Sequence, residues 1–144
     1  MPYSPLIVNP MKQELTTIGF EELTTAEAVD SFIQQKPGSA ILVINSVCGC
    51  AAGQARPGVR LALEADSKPE KLVTVFAGQD VEATKQARSY FPDVPPSSPS
   101  IALFKDGEMV YFVPRHRIES RSAEDVAADL TAAFERYFVA APAS

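Results

Sequence analysis

The chain contains no tryptophan, one histidine and two cysteines in 144 residues, and each shortage excludes something. A closed zinc site takes four protein ligands, most often Cys and His. Here the soft ligands are Cys48, Cys50 and His116, too few for a closed site within one chain. The two cysteines are separated by one residue, so a bridge between them closes a very small loop and contributes little through chain entropy. Structural stapling is therefore a poor use for them. Long apolar runs are also missing: none approaches the roughly 18 to 20 residues that cross a bilayer, and no membrane association is expected. Thirteen Lys and Arg stand against 18 Asp and Glu, a net charge of -5, whereas a nucleic-acid binder is expected to carry a basic surplus. The segment Met1–Leu6 has neither a basic region nor a long apolar one, so no secretory signal is read there and the cytoplasm is the expected location.

With 46% hydrophobic and 22% charged residues, the chain has the composition and length of one soluble globular domain, able to bury roughly two-thirds of its unfolded surface. Pro2, Pro5 and Pro10 remove backbone donors, which predicts a flexible, extended arm over residues 1–10 and at most a helix beginning after Pro10. The domain proper is expected over 11–138 and a disordered tail over 139–144. Thr24-Thr25-Ala26-Glu27 reads as a capping box opening a helix that ends near Pro37-Gly38. The Val- and Ile-rich run Ala40–Asn45 reads as a buried strand, and Ala51–Leu63 as a helix that Pro57 kinks or restarts. A second strand, Lys71–Ala77, leads to a helix over Val81–Tyr90 with Asp80 as its N-cap. The proline-rich loop Phe91–Pro99 opens a hairpin, Ser100–Lys105 and Glu108–Val113, whose Asp106-Gly107 turn calls for positive φ angles. Ser122 caps a last helix through about Phe138. Strands alternating with helices, then a hairpin and a closing helix, describe a single α/β domain with a central mixed sheet covered on both faces.

Chemistry concentrates at Cys48-Gly49-Cys50, where the first strand meets a helix start. Unpaired N–H groups and the aligned peptide dipoles favour a thiolate at that place, and a lowered pKa makes a cysteine a useful nucleophile. Three readings stay open. In the redox reading Cys48 attacks a disulfide and Cys50 resolves the mixed disulfide, with Gly49 supplying backbone freedom and the strained one-residue bridge forming an oxidising couple. In the metal reading the two thiolates carry a metal or iron–sulfur cluster shared across a dimer. In the third they are small buried side chains without chemistry. Arg115-His116-Arg117 is a basic cluster, read either as a solvated loop or as a patch for a small anionic thiol; Arg56 and Arg60 are expected to face solvent.

Four stretches in order, Asn45–Gly53, Thr74–Asp80, Pro96–Ser100 and Pro114–His116, resemble the bacilliredoxin family. The resemblance implies a thioredoxin-like three-layer α/β/α sandwich with Ser98 and a cis Pro99 facing the active thiol. It implies a cytosolic thiol–disulfide oxidoreductase that removes bacillithiol from mixed disulfides on proteins, with weak disulfide isomerase behaviour. Cys48 is then the attacking thiol and Cys50 the second cysteine, with Gly49, Ser98, Pro99, Arg115 and His116 around the substrate. The resemblance further implies bacillithiol as a co-substrate rather than a bound cofactor and bacillithiolated cytosolic proteins as partners, and a monomer or homodimer is expected. The motif has one residue between its cysteines where common thioredoxins have two, and no third cysteine exists, so no mechanism with a third thiol is expected.

Overall fold

The computed structural model describes residues 3–35 and 38–138. The expected tail over 139–144 and Pro37 lie outside these. Strand β2 (Ser39–Asn45), buried along its whole length, is the centre of the sheet. It runs parallel to β3 (Lys71–Phe76) on one side and antiparallel to β4 (Ser100–Lys105) on the other. A short β1 (Glu21–Glu22) extends the sheet beyond β3, and β5 (Glu108–Val113) extends it beyond β4, giving the order β1-β3-β2-β4-β5.

Because successive strand side chains point to opposite faces, β2 feeds two cores. Ile41 and Val43 join Val59, Leu130 and Phe134 on one face, beneath α3 (Arg56–Ala62) and α6 (Ala123–Tyr137). Ala40, Leu42 and Ile44 join Val29, Phe32 and Ala87 on the other, beneath α2 (Ala26–Gln34) and α4 (Val81–Ser89). This is the expected three-layer arrangement. Helices α3 and α6 approach closely because Gly58 has no side chain: a Cβ there would lie 2.7 Å from Val126 Cγ1 and 3.1 Å from the Ala123 carbonyl oxygen. The hairpin turn has the expected left-handed residues, Asp106 at φ 52° and Gly107 at φ 84°. Ser122 caps α6 by accepting the Asp125 N–H at 3.1 Å. No helix of the described residues is long and apolar enough to cross a membrane.

Several expectations are corrected. The N-terminal segment is not an extended arm: α1 spans Pro5–Thr16 and runs through Pro10. Ser4 accepts the Leu6 N–H, and Pro5 occupies the first turn, where a missing N–H is no loss. Pro10 removes the donor to the Leu6 carbonyl, but Leu6 is 89% exposed, so water can satisfy that oxygen. Buried Val8 and Leu15 then fix the helix to the body. Thr25 rather than Thr24 caps α2, its side chain accepting the Ala28 N–H. Asp80 occupies the N-cap of α4 as expected but makes no side-chain capping bond; its carboxylate is held instead by Lys12 of α1, 3.1 Å away. The helix after the thiols restarts at Pro57 as expected, and only the α-helical character of its first part is corrected. A π-helical turn over Ala51–Ala55 passes into α3 at Arg56, with Pro57 at the start of α3, where its ring is tolerated. The strand β1 and the short α5 (His116–Glu119) carry too little periodicity to be read from sequence.

Candidate functional site

The site starts at the end of β2. Asn45 turns its side chain back on the chain: its Oδ1 accepts the Ser46 N–H at 2.9 Å and an N–H of Arg56 at 2.8 Å. Its Nδ2 donates to the Met11 carbonyl at 3.3 Å. Ser46 Oγ in turn accepts the Cys48 N–H at 3.2 Å. Arg56, expected in solvent, is 3% exposed. It donates to the Ser46 carbonyl at 3.1 Å and pairs through Nη2 with Glu14 of α1 at 3.1 Å. The reason is local need: a central strand ending inside the protein leaves acceptors with no sheet partner, and a buried five-donor guanidinium satisfies them. Arg60, one turn on, is exposed as expected.

The chain beyond Ser46 turns into a helix at Gly49, and the Cys48 carbonyl accepts the Ala51 N–H at 2.9 Å. Cys48 is half-buried and Cys50 buried, with their sulfurs 2.8 Å apart. The Cys50 thiol, as hydrogen-bond donor, holds the Cys48 pKa below the ordinary cysteine value, assisted by the backbone N–H of Cys50, the charge of Arg115 and the Ala51 N–H. Burial pushes the Cys50 thiol up, and its bond to Cys48 adds to that. The helix start contributes, but the neighbouring thiol is the larger cause. Alkylation by iodoacetamide at neutral pH is therefore expected to modify Cys48 first, its rate falling as pH drops through the Cys48 pKa. Peptide mapping of partially labelled protein checks this, and preferential labelling of Cys50 would contradict it.

Gly49 is exposed, its φ is not positive, and a Cβ there would meet nothing within 4 Å. Contrary to expectation, the turn does not depend on glycine's backbone freedom, and a side chain at this position would begin in open space.

The Ser98–Pro99 peptide bond is cis and Pro99 is buried. Ser98 lines, with Cys48, a surface depression of about 530 Å³ whose other walls include Tyr3, Gly78, Arg88 and Arg115. Arg115 is exposed and pairs with Glu119 at 3.0 Å. Its backbone N–H donates to Ser97 Oγ at 3.2 Å. The basic cluster is thereby divided. Arg117 turns to Asp129 of α6 at 2.7 Å and to the Tyr111 hydroxyl at 2.8 Å. His116 is exposed on α5 and, like Gly49 and Pro99, is not part of the depression's lining. Tyr3, Gly78 and Arg88 were missed as site residues. Only the fold brings them to Cys48; for Gly78 the stretch Thr74–Asp80 was the available signal. A larger depression of about 730 Å³, lined by Glu64, Asp66 and Glu135 among others, contains no thiol. Among the described residues no group of three or more His, Cys, Asp or Glu side chains is placed to hold a metal ion, so the shared-metal reading gains no further ligand from this chain.

Residues 3–138 match the protein-family model described as "Disulphide isomerase". The bacilliredoxin of Cytophaga hutchinsonii is 56% identical over 133 residues, covering 92% of this chain and 98% of that one. The bacilliredoxin of Shouchella clausii is 53% identical over 135 residues, covering 94% and 93%. Among solved structures, oxidised thioredoxin from Plasmodium falciparum superposes with a TM-score of 0.57 at 20% identity, covering 84% of this chain and all of that one. Reduced thioredoxin from Schistosoma mansoni gives 0.55 at 18% identity, covering 82% and 96%. The fold is thus thioredoxin-like and the function one of thiol redox chemistry. With the family model spanning nearly its whole length and relatives above half identity, the chain belongs to the bacilliredoxin family.

Proposed function

We propose that the protein is a cytosolic oxidoreductase that removes bacillithiol from mixed disulfides on other proteins. One observation carries this reading: the sulfur of the half-buried Cys48 lies 2.8 Å from that of the buried Cys50, an attacking thiol with its resolving partner in reach, and the hydrogen bond between them favours the thiolate on Cys48. The Cys48 thiolate attacks the bacillithiol sulfur of the mixed disulfide. A Cys48–bacillithiol bond forms, the substrate disulfide breaks, and the departing substrate sulfur takes the electron pair and a proton from water. Formation of the adduct removes the negative charge from Cys48, which relieves one cause of the raised Cys50 pKa. Cys50 then loses its proton and attacks the Cys48 sulfur, expelling bacillithiol as thiolate and leaving a Cys48–Cys50 disulfide. Two further bacillithiol molecules reduce that bridge and leave as bacillithiol disulfide. The same first step on a protein disulfide supports weak isomerase activity.

Cys50→Ser tests the division of labour. This variant is expected to accept bacillithiol from a modified carrier protein onto Cys48 and hold it, so that mass spectrometry finds a stable adduct. Excess free bacillithiol should discharge the adduct, because release needs only a second thiol. A variant that never carries the adduct, while wild type turns over, would reverse the assigned roles; a wild type that never accepts bacillithiol would end the reading.

A further inference from the structure

The depression in front of Cys48 is cationic in a chain whose net charge is -5. Arg88 reaches it from α4 and Arg115 from the turn before α5. The two are not equivalent. Arg115 has a carboxylate partner in Glu119, whereas among the described residues no carboxylate pairs with Arg88. Arg88 donates one N–H to the Ser97 carbonyl at 3.1 Å, and its Nε has no partner among the described residues. Partial burial takes solvation from this guanidinium and lowers its pKa. An anion arriving beside it offsets that cost.

Both arginines are fixed to the same residue. Arg88 bonds the Ser97 carbonyl, and the Arg115 backbone bonds Ser97 Oγ. Ser97 precedes Ser98, which lines the depression with Cys48. The Arg88 guanidinium and the Arg115 backbone are therefore held in register with the thiol. A volume of about 530 Å³ is of the size that takes a small molecule. Planar guanidinium groups are suited to carboxylates, which they can engage through two parallel hydrogen bonds.

We propose that Arg88, with Arg115, forms a carboxylate-binding subsite that holds the small-thiol half of a mixed disulfide against Cys48, and that Arg88 sets the preference for anionic small thiols. This rests on the reading above that the substrate is a small-thiol adduct. Tyr3 closes the subsite on one side: its N–H is tied to Gln79 Oε1 at 2.7 Å, and its ring would lie 3.1 Å from a Cβ at Gly78.

The test uses one carrier protein with a single cysteine, loaded with bacillithiol, which bears carboxylates, or with neutral β-mercaptoethanol. Removal rates are measured for wild type, Arg88→Gln, Arg88→Lys and Arg115→Gln. Arg88→Gln is expected to lose about tenfold on the bacillithiol adduct, the scale of one charge-assisted hydrogen bond, and to stay within about twofold on the neutral one. Arg88→Lys should recover part of the loss, because charge remains without the planar fork. High salt should reduce the preference of wild type more than that of Arg88→Gln, which keeps only Arg115 to be screened. An equal fall on both adducts would make Arg88 a support of the Ser97 loop and overturn the proposal, as would an unchanged preference. Should Arg88→Gln not fold, the wild-type salt series and Arg88→Lys decide: a preference insensitive to both overturns it. Failure of wild type to accept bacillithiol on Cys48 would instead overturn the proposed function.

Discussion

Cys48→Ser is expected to abolish bacillithiol removal, lowering the rate by roughly a thousandfold or more, the scale seen when an enzyme loses its nucleophile. A serine hydroxyl stays protonated at neutral pH and does not attack sulfur at useful rates. Cys50 is badly placed to substitute. It is buried, and burial, the largest cause of its raised pKa, persists when Cys48 is gone. Excess free bacillithiol, which discharges the Cys50→Ser adduct, should therefore do nothing for Cys48→Ser, because no adduct forms. The fold should tolerate the change, since Cys48 is only half-buried and its hydrogen-bonding backbone groups are kept. The decisive pair of measurements is mass transfer from a bacillithiolated carrier and the thermal midpoint of the variant. Loss of transfer at an unchanged midpoint is the expected result. An adduct on Cys50 of Cys48→Ser would show that the second thiol is competent to attack.

What the sequence discloses here divides by the range of the forces involved. The buried strand, the Asp106-Gly107 turn and the Ser122 cap are decided within a few residues of chain, and all three stand as read. The thiol pair was legible for the same reason: Cys48 and Cys50 are neighbours whatever the fold does around them. The N-terminal helix was misread because three prolines counted as three breakers. Position alters that sum, since Pro5 at a first turn is favourable and Pro10 deletes a bond whose acceptor can be solvated. Arg88 and Tyr3 were invisible because their partners are distant in sequence or supplied by the loop geometry. Tyr3 bonds Gln79, 76 residues away. Nothing local distinguishes Arg88 from any other arginine on an amphipathic helix.

Arg56 is the sharpest case of local appearance misleading, and its replacement is expected to have the largest effect on stability. An arginine one turn before another on a short helix reads as solvent-facing; this one is buried under the end of β2, holding Asn45 Oδ1 and the Ser46 carbonyl. Arg56→Ala removes those two hydrogen bonds and leaves a cavity beside α1, so a loss of about 2 to 4 kcal/mol is expected. The contact with Glu14 adds little to that figure, because the Glu14 side chain is 47% exposed and half-solvated ion pairs contribute about 1 kcal/mol or less. Glu14→Gln should accordingly cost far less than Arg56→Ala. Arg56→Met should fall between them. It keeps the buried stem and removes the unpartnered Nε–H, but leaves the Ser46 carbonyl without its guanidinium donor. Urea denaturation of the three variants gives the order directly. A second readout separates support of the thiol from bulk stability. Ser46 links Arg56 to the Cys48 N–H, so in native buffer Arg56→Met should alkylate Cys48 more slowly than Glu14→Gln does. If both variants label at the wild-type rate, Arg56 holds the sheet end together without positioning the nucleophile; if Arg56→Ala unfolds at the wild-type urea concentration, the buried guanidinium contributes no net stability at all.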